Sequence, residues 1–301
     1  MLKHFHFWHI VTLSPWPFVL SLSVISLPLG LVTFFQGYFN GLTLFFIGIL
    51  VIIFIMFLWF RDIIIEGTFE GHHTKQVQAS LIVGFILFIF SEVMFFVSFF
   101  WAFFHSSLFP NIELNLTWPP IGMEKLIFDP FGIPLLNTII LLLSGVTLTL
   151  GHLYLRKGYW FETIVSITAT IFLAELFLCY QFMEYSLSPF DISDGIYGST
   201  FYMCTGFHGL HVLIGFILLS VVGVRAILCH FSKNHHIGFI TAAWYWHFVD
   251  VVWLFLYISI YYLGSEMVFQ KLVEVNGYSE LFITKNKKKI LIFHNNILYW
   301  C

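Results

Sequence analysis

The chain has 301 residues, of which 59% are hydrophobic and 10% charged, with a mean hydropathy of +0.90. Soluble domains average about 45–50% apolar and 25% charged residues, so this composition excludes a water-soluble fold and places the chain in a bilayer. Thirteen Lys and Arg against sixteen Asp and Glu leave a formal charge of -3, with no basic face to follow a phosphate backbone, which excludes nucleic acid as a partner.

A helix needs about 20 largely apolar residues to cross a hydrocarbon core of roughly 30 Å. That window predicts seven crossings and an all-α polytopic fold. The first runs from Trp16 to Phe35. Lys3 and Pro15, Pro17 and Pro28 mark the opening stretch, and no small-residue cleavage site follows, so a removable signal peptide is not expected. After the turn Gln36 to Gly41, the second helix is predicted over Leu42 to Phe60, ending at the charged stretch Arg61 to Lys75. The third covers Val77 to Phe104. A long loop, Ser106 to Pro130, collects Pro110, Pro119 and Pro120 before the fourth helix at Ile133 to Tyr154. The fifth, sixth and seventh follow at Trp160 to Tyr185, Tyr197 to Leu228 and Ile240 to Leu263, with Pro189 in the loop Ser186 to Gly195. Three segments are expected: 1–72 with helices one and two, 73–265 with helices three to seven, and the extension 266–301. The apolar end of that extension, Ile290 to Trp300, is too short to span.

Orientation follows from the cations of the short loops. Lys3, Arg61, Lys75, Arg156, Lys157, Arg225 and Lys233 lie on the N-terminal side, and only Lys125 on the other, so the N-terminus is expected in the matrix or cytoplasm. The lysines of the extension oppose this trend, and the loops outweigh them. Thirty-nine phenylalanines fit an AT-rich genome and an organelle-encoded chain, which is a genetic argument rather than a physical one.

Fourteen histidines raise the question of a metal. His72 and His73 are adjacent, as are His235 and His236, and His208 and His211 share a helical face. A di-iron site would need further HxxxH and HxxHH spacings, which are absent, so these side chains are expected to bond backbone, headgroups and neighbouring helices. Cys179, Cys204, Cys229 and Cys301 show no CxxC or paired spacing, so neither a disulfide framework nor a thiolate metal site is expected.

Glu92 stands in an otherwise apolar stretch, where an ionised carboxylate costs a few kcal/mol, so it must be protonated, paired or wetted. Its readings are a proton-relay acid, a lipid-headgroup partner, or a structural acid bonded to a neighbouring helix. Asp250 is expected to bond a polar group on an adjacent helix, and Glu184 to snorkel or cap. Glu175 has no assigned role. The rings of Trp244 to Trp246, Trp253, Tyr257, Tyr261 and Tyr262 are read mostly as interfacial anchors, and Gly206, Gly209 and Gly215 as points of close helix approach.

Particular strings then occur in order: Ser14-Pro15-Trp16-Pro17, Gly71-His72-His73-Thr74, Ser91-Glu92-Val93, Phe99-Phe100-Trp101-Ala102-Phe103, His105-Ser106-Ser107-Leu108 and Trp118-Pro119-Pro120. They continue with the run from Ile192 to Phe201, then Thr205-Gly206-Phe207-His208-Gly209-Leu210-His211-Val212, and the run from Ala243 to Phe255. From Met1 to about Ser265 the chain closely resembles the cytochrome c oxidase subunit III family. The resemblance implies a seven-helix subunit in which helices one and two splay from helices three to seven to form a V-shaped cleft filled with phospholipid. It implies no catalytic residue and no metal or haem in this chain. Haem a, haem a3 and copper would belong to partner subunits, with subunits I and II and accessory subunits as protein partners. Implied lipids include phosphatidylglycerol, phosphatidylethanolamine or cardiolipin.

By the same resemblance Glu92 matches a buried, carbodiimide-reactive carboxylate, and Trp59, His73 and Arg225 match lipid-binding positions. His6 and His9 match histidines near the surface where protons enter, and the implied location is the mitochondrial inner membrane. The chain departs from the family at Gly151-His152-Leu153, where a His pair is common, and in its extension beyond Ser265. Two other classes compete. A transporter or channel would need a lined polar path across the bilayer, and a metal-dependent membrane oxidase would need bound iron in the isolated chain.

Overall fold

The computed structural model describes residues 9–11, 13–123 and 126–264, and the backbone of 292–294 and 297–299. Seven helices long and apolar enough to cross a membrane account for nearly all of it, and the chain is a multi-pass membrane protein: α1 Trp16–Phe35, α2 Gly41–Thr68, α3 Lys75–Leu108, α4 Ile133–Lys157, α5 Trp160–Ser186, α6 Gly195–Ile227 and α7 Ile237–Leu256. The last continues through a π-helical turn, Tyr257–Tyr262. In the C-terminal extension β1 Ile292–His294 pairs antiparallel with β2 Ile297–Tyr299, Phe293 lying opposite Leu298. The rest of 265–301, His6 and Lys125 lie outside the described residues.

The second helix does not stop at Phe60. It carries Arg61, Asp62 and Glu66 on to Thr68, because loss of hydropathy marks where lipid ends, whereas a helix ends only when its backbone bonding does. The same extension adds a turn at the C-terminal end of α3.

The chain packs as two units, Met1–Leu87 and Phe88–Cys301, with the change of neighbours falling inside α3. In the first unit α1 and α2 form a hairpin held by small residues. A Cβ on Gly30 would lie 2.7 Å from the Phe45 amide nitrogen and 2.9 Å from the Gly41 carbonyl oxygen, and one on Gly41 would run into the Phe34 backbone. The helices therefore meet backbone to backbone. Across the other end, Trp16 Nε1 donates to Asp62 Oδ2 at 2.6 Å while Arg61 holds Oδ1 at 2.7 Å. Large apolar side chains such as Phe54 and Phe57 stay exposed on this hairpin, as befits a surface solvated by lipid tails.

In the second unit α7 is the most enclosed helix. Trp246 and Trp253 are fully buried, each with an indole N–H donated to a hydroxyl of α4: Ser144 Oγ at 2.8 Å and Thr138 Oγ1 at 3.0 Å. Tyr261 is buried as well, its hydroxyl 2.6 Å from Glu184 Oε1. These residues are core rather than interfacial anchors, and Glu184 neither snorkels nor caps. Ring and carboxyl composition is the same in either setting, and the partner on a distant helix decides. Of the three α6 glycines, only Gly215 meets another helix, packing against the Trp246 ring, whereas Gly206 and Gly209 face open space. Thr147 and Thr170 link α4 to α5 at 2.8 Å.

Trp246→Phe is expected to destabilise the subunit by about 1–3 kcal/mol, because the buried Ser144 hydroxyl, which still donates to the Leu141 carbonyl, loses the indole N–H it accepts from, and indole volume is removed. Thermal inactivation of the purified complex measures it, and Trp244→Phe, on an exposed ring, should change little.

Candidate functional site

Glu92 and His211 face each other from the middles of α3 and α6. Glu92 Oε2 lies 2.8 Å from His211 Nε2, and His211 Nδ1 lies 2.6 Å from the Phe207 carbonyl oxygen. A carbonyl can only accept, so Nδ1 carries a proton. One further proton is then shared between Nε2 and the carboxyl group. The pair is either a carboxylic acid donating to a neutral imidazole or a carboxylate facing an imidazolium, and it is neutral overall in both forms. That neutrality resolves the cost of an acid in an apolar helix.

Aromatic rings enclose the imidazole. Phe96 lies edge-on at 4.9 Å, Tyr245 stacks at 6.3 Å and 14°, and Phe88 stacks in turn on Tyr245. The His211 side chain is only 9% exposed and that of Glu92 25%, so the proton the pair holds is reachable from the acid's side. His208, one turn back, is buried and donates from Nε2 to the Val249 carbonyl at 3.2 Å. Of the two α6 histidines, one bridges to α3 and the other to α7.

In the first unit His9 meets the His72-His73 pair. Its ring stacks on His72 at 5.1 Å and lies 5.7 Å from His73, with Nε2 3.6 Å from Glu66 Oε2. His72 in turn reaches Glu70 at 3.0 Å. The His73 ring packs against Gly67, and Gln78 donates to the His73 carbonyl at 2.8 Å. Trp59 is half-buried on α2.

Arg225, in the last turn of α6, lies in the second unit with its guanidinium carbon 4.6 Å above the Phe231 ring and its Nη1 against Gly238. On the same unit His152 and His236 approach to 3.2 Å through their Nε2 atoms. Burial holds the His236 imidazole below its ordinary range, with its bond to the Ser232 carbonyl opposing that trend. As a neutral ring donating from Nδ1 to Ser232 at 3.0 Å, it accepts from His152, so the single histidine of Gly151-His152-Leu153 has a partner.

Among the described residues Asp250 has no bond to an adjacent helix. It faces Gly145 on α4, and its near polar neighbour is His247 of its own helix at 3.6 Å. Glu175 lies exposed on α5. Among the described residues no three His, Cys, Asp or Glu side chains are grouped to hold a metal ion.

A profile of the cytochrome c oxidase subunit III family matches residues 6–265. The chain belongs to that family. Cytochrome c oxidase subunit 3 of Arabidopsis thaliana is 52% identical to it over 260 residues, 86% of this chain and 97% of that protein. The subunits of Anopheles gambiae and Danio rerio are 55% and 53% identical over the same length, covering 98% of each. Within this subunit III chain the matched stretch takes in all seven helices, the Glu92–His211 pair, Trp59, His73 and Arg225, and both His6 and His9. The extension beyond residue 265 lies outside it.

His211 is the partner of Glu92 that chain position hid: it stands 119 residues away. The usable signal was that a lone acid in a membrane helix calls for a polar residue at the same depth on another helix.

Proposed function

We propose that the chain is the core subunit of a mitochondrial inner-membrane cytochrome c oxidase that binds phospholipid, stabilises the complex and supports proton uptake, with no catalytic centre of its own. Haem a, haem a3 and copper then sit in partner subunits, electron transfer to oxygen runs through subunits I and II, and the N-terminus faces the matrix. The observation that carries the proton-related part is the Glu92–His211 pair. It holds one exchangeable proton between a carboxyl and an imidazole, and moving that proton from one to the other across one short hydrogen bond creates no net charge in lipid. His9, clustered with His72, His73 and Glu66, supplies titratable groups at the end of the first hairpin, which fits a surface where protons enter. His6 would extend it.

The lipid part rests on chemistry as well. Exposed Phe54, Phe57 and Phe88 suit acyl chains and cannot stabilise a hydrated solute or an ion. A guanidinium such as that of Arg225 binds phosphate bidentately, while His73 and the ring of Trp59 suit headgroup depth. Phosphatidylglycerol, phosphatidylethanolamine and cardiolipin all carry the phosphate this needs. A transporter or channel is less well supported, because Glu92 and Glu184 each have a partner of their own, His211 and Tyr261, on different helix pairs rather than along one polar path.

Native mass spectrometry of the purified complex tests the lipid part. Arg225→Ala and Trp59→Ala are expected to lower the number of retained phospholipids and to loosen this subunit before any haem spectrum changes. Unchanged lipid stoichiometry in both variants would remove lipid binding from the proposal.

A further inference from the structure

His152 and His236 are two imidazoles that neither the proton reading nor the lipid reading uses. His152 stands near the C-terminal end of α4 and His236 caps the start of α7, and their Nε2 atoms lie 3.2 Å apart although the residues are 84 positions apart in the chain. That separation is close to the roughly 3.3 Å between two nitrogens that each lie about 2.05 Å from one tetrahedral zinc ion. The ring centroids are 5.2 Å apart with the planes at 65°. The rings therefore meet at an inclination rather than head-on, as two ligands of one ion must.

Both rings are held in place. His236 Nδ1 donates to the Ser232 carbonyl at 3.0 Å, and the same carbonyl accepts the His235 backbone N–H at 3.3 Å in a tight turn. A bond of this kind, from the far ring nitrogen to a backbone carbonyl, fixes the tautomer that leaves Nε2 free to ligate a metal. His236 is only 8% exposed, so it has little room to turn away. The His152 ring lies nearly flat against Phe239, at 5.4 Å and 24°. Beside it opens a cavity of about 110 Å³, to which Thr149 and His247 bring polar groups and Ile240 and Ala243 apolar ones. It has room for several waters and polar groups to hold them.

We propose that His152 and His236 bind a divalent transition-metal ion such as zinc through their Nε2 atoms, with water from the adjoining cavity filling its other coordination positions. Imidazole nitrogen is a ligand suited to zinc and its neighbours in the first transition row. Two features set the strength of the site. Among the described residues no third His, Cys, Asp or Glu joins the pair, and Arg156 and His235 lie near enough to His236 to disfavour added positive charge. The ion is therefore exchangeable and yields to a chelator. Bound there, it ties the end of α4 to the start of α7. Zinc has no redox chemistry, so the site adds no catalytic centre, but it departs from the expectation that the histidines of this chain hold no metal. It rests on the geometry of this chain and not on the oxidase reading.

Two measurements on the purified complex test it. After treatment with a chelator, the complex is titrated with radioactive zinc sulfate and the bound zinc counted. His152→Asn and His236→Asn are each expected to lose one bound zinc per complex over the range in which the unaltered protein fills the site. Losing a mere supporting bond around a metal costs about 10–100-fold in affinity, so losing a ligand should cost at least about tenfold. His235→Asn, next in the chain but outside the pair, should keep the zinc. Equal zinc binding by the unaltered complex and by both ligand variants would mean that the two rings share only a hydrogen bond, and would overturn the site. Should the ligand variants fail to assemble, a zinc-edge anomalous difference map of the unaltered complex, soaked in zinc, still decides. A peak within bonding distance of both Nε2 atoms is expected, and zinc peaks at other places alone would overturn the proposal.

Discussion

His211→Leu is expected to cost about 3 kcal/mol and to release much of the subunit from the complex, whereas Glu92→Gln should cost under about 1 kcal/mol. The asymmetry follows from the proton count. With His211 replaced, Glu92 keeps its place in the middle of α3 and loses the group that made it neutral by sharing a proton. With Glu92→Gln, the amide nitrogen can donate to His211 Nε2 while Nδ1 still donates to Phe207, so every bond at the imidazole is kept. Glu92→Gln should also abolish modification by a hydrophobic carbodiimide, which attacks a carboxyl group, and leave most steady-state oxygen reduction in place. Subunit retention on a native gel, thermal inactivation and carbodiimide labelling read these effects. Equal losses for the two variants would contradict a proton-sharing pair, and near-total loss of turnover in an intact Glu92→Gln complex would make the acid an obligatory carrier.

Gly41→Leu is expected to be as damaging, for a different reason. A Cβ there meets the Phe34 backbone, and Gly30 sits at the same crossing. A side chain can swing away from an intruder, but a helix backbone cannot, so α1 and α2 must separate. The cost of such overpacking is about 1–3 kcal/mol or more. Protease sensitivity of the stretch Trp16 to Thr68 in the assembled complex should rise sharply. Gly84→Ala is the control, since its position opens on free space, and it should be nearly silent. Comparable behaviour of the two variants would mean that the hairpin does not rest on its glycines.

What the sequence disclosed and what it hid have physical reasons. The seven crossings are visible because hydropathy over 20 residues is a property of the segment itself. The end of α2 is not, because Arg61, Asp62 and Glu66 leave the lipid while still inside the helix. Glu92 stands out by its apolar surroundings, and the HxxH on α6 reads as two helix bridges, yet which helix each imidazole meets is set by how α6 packs. Trp246, Trp253 and Tyr261 were misread because a ring with a polar tip suits the interface as well as a core with a hydroxyl or carboxyl waiting for it. Gly206, Gly209 and Gly215 look identical in the chain, and only the last has Trp246 against it.

The most direct measurement is purification of the complex through an affinity tag on this chain, followed by haem and metal analysis before and after the chain is stripped away with detergent. Haem a and copper are expected to co-purify with the tagged chain in stoichiometric amount and to stay with the remaining subunits once it is removed. Iron or copper retained tightly by the stripped chain, or a tagged chain that brings down neither haem a nor copper, would contradict a non-catalytic oxidase subunit.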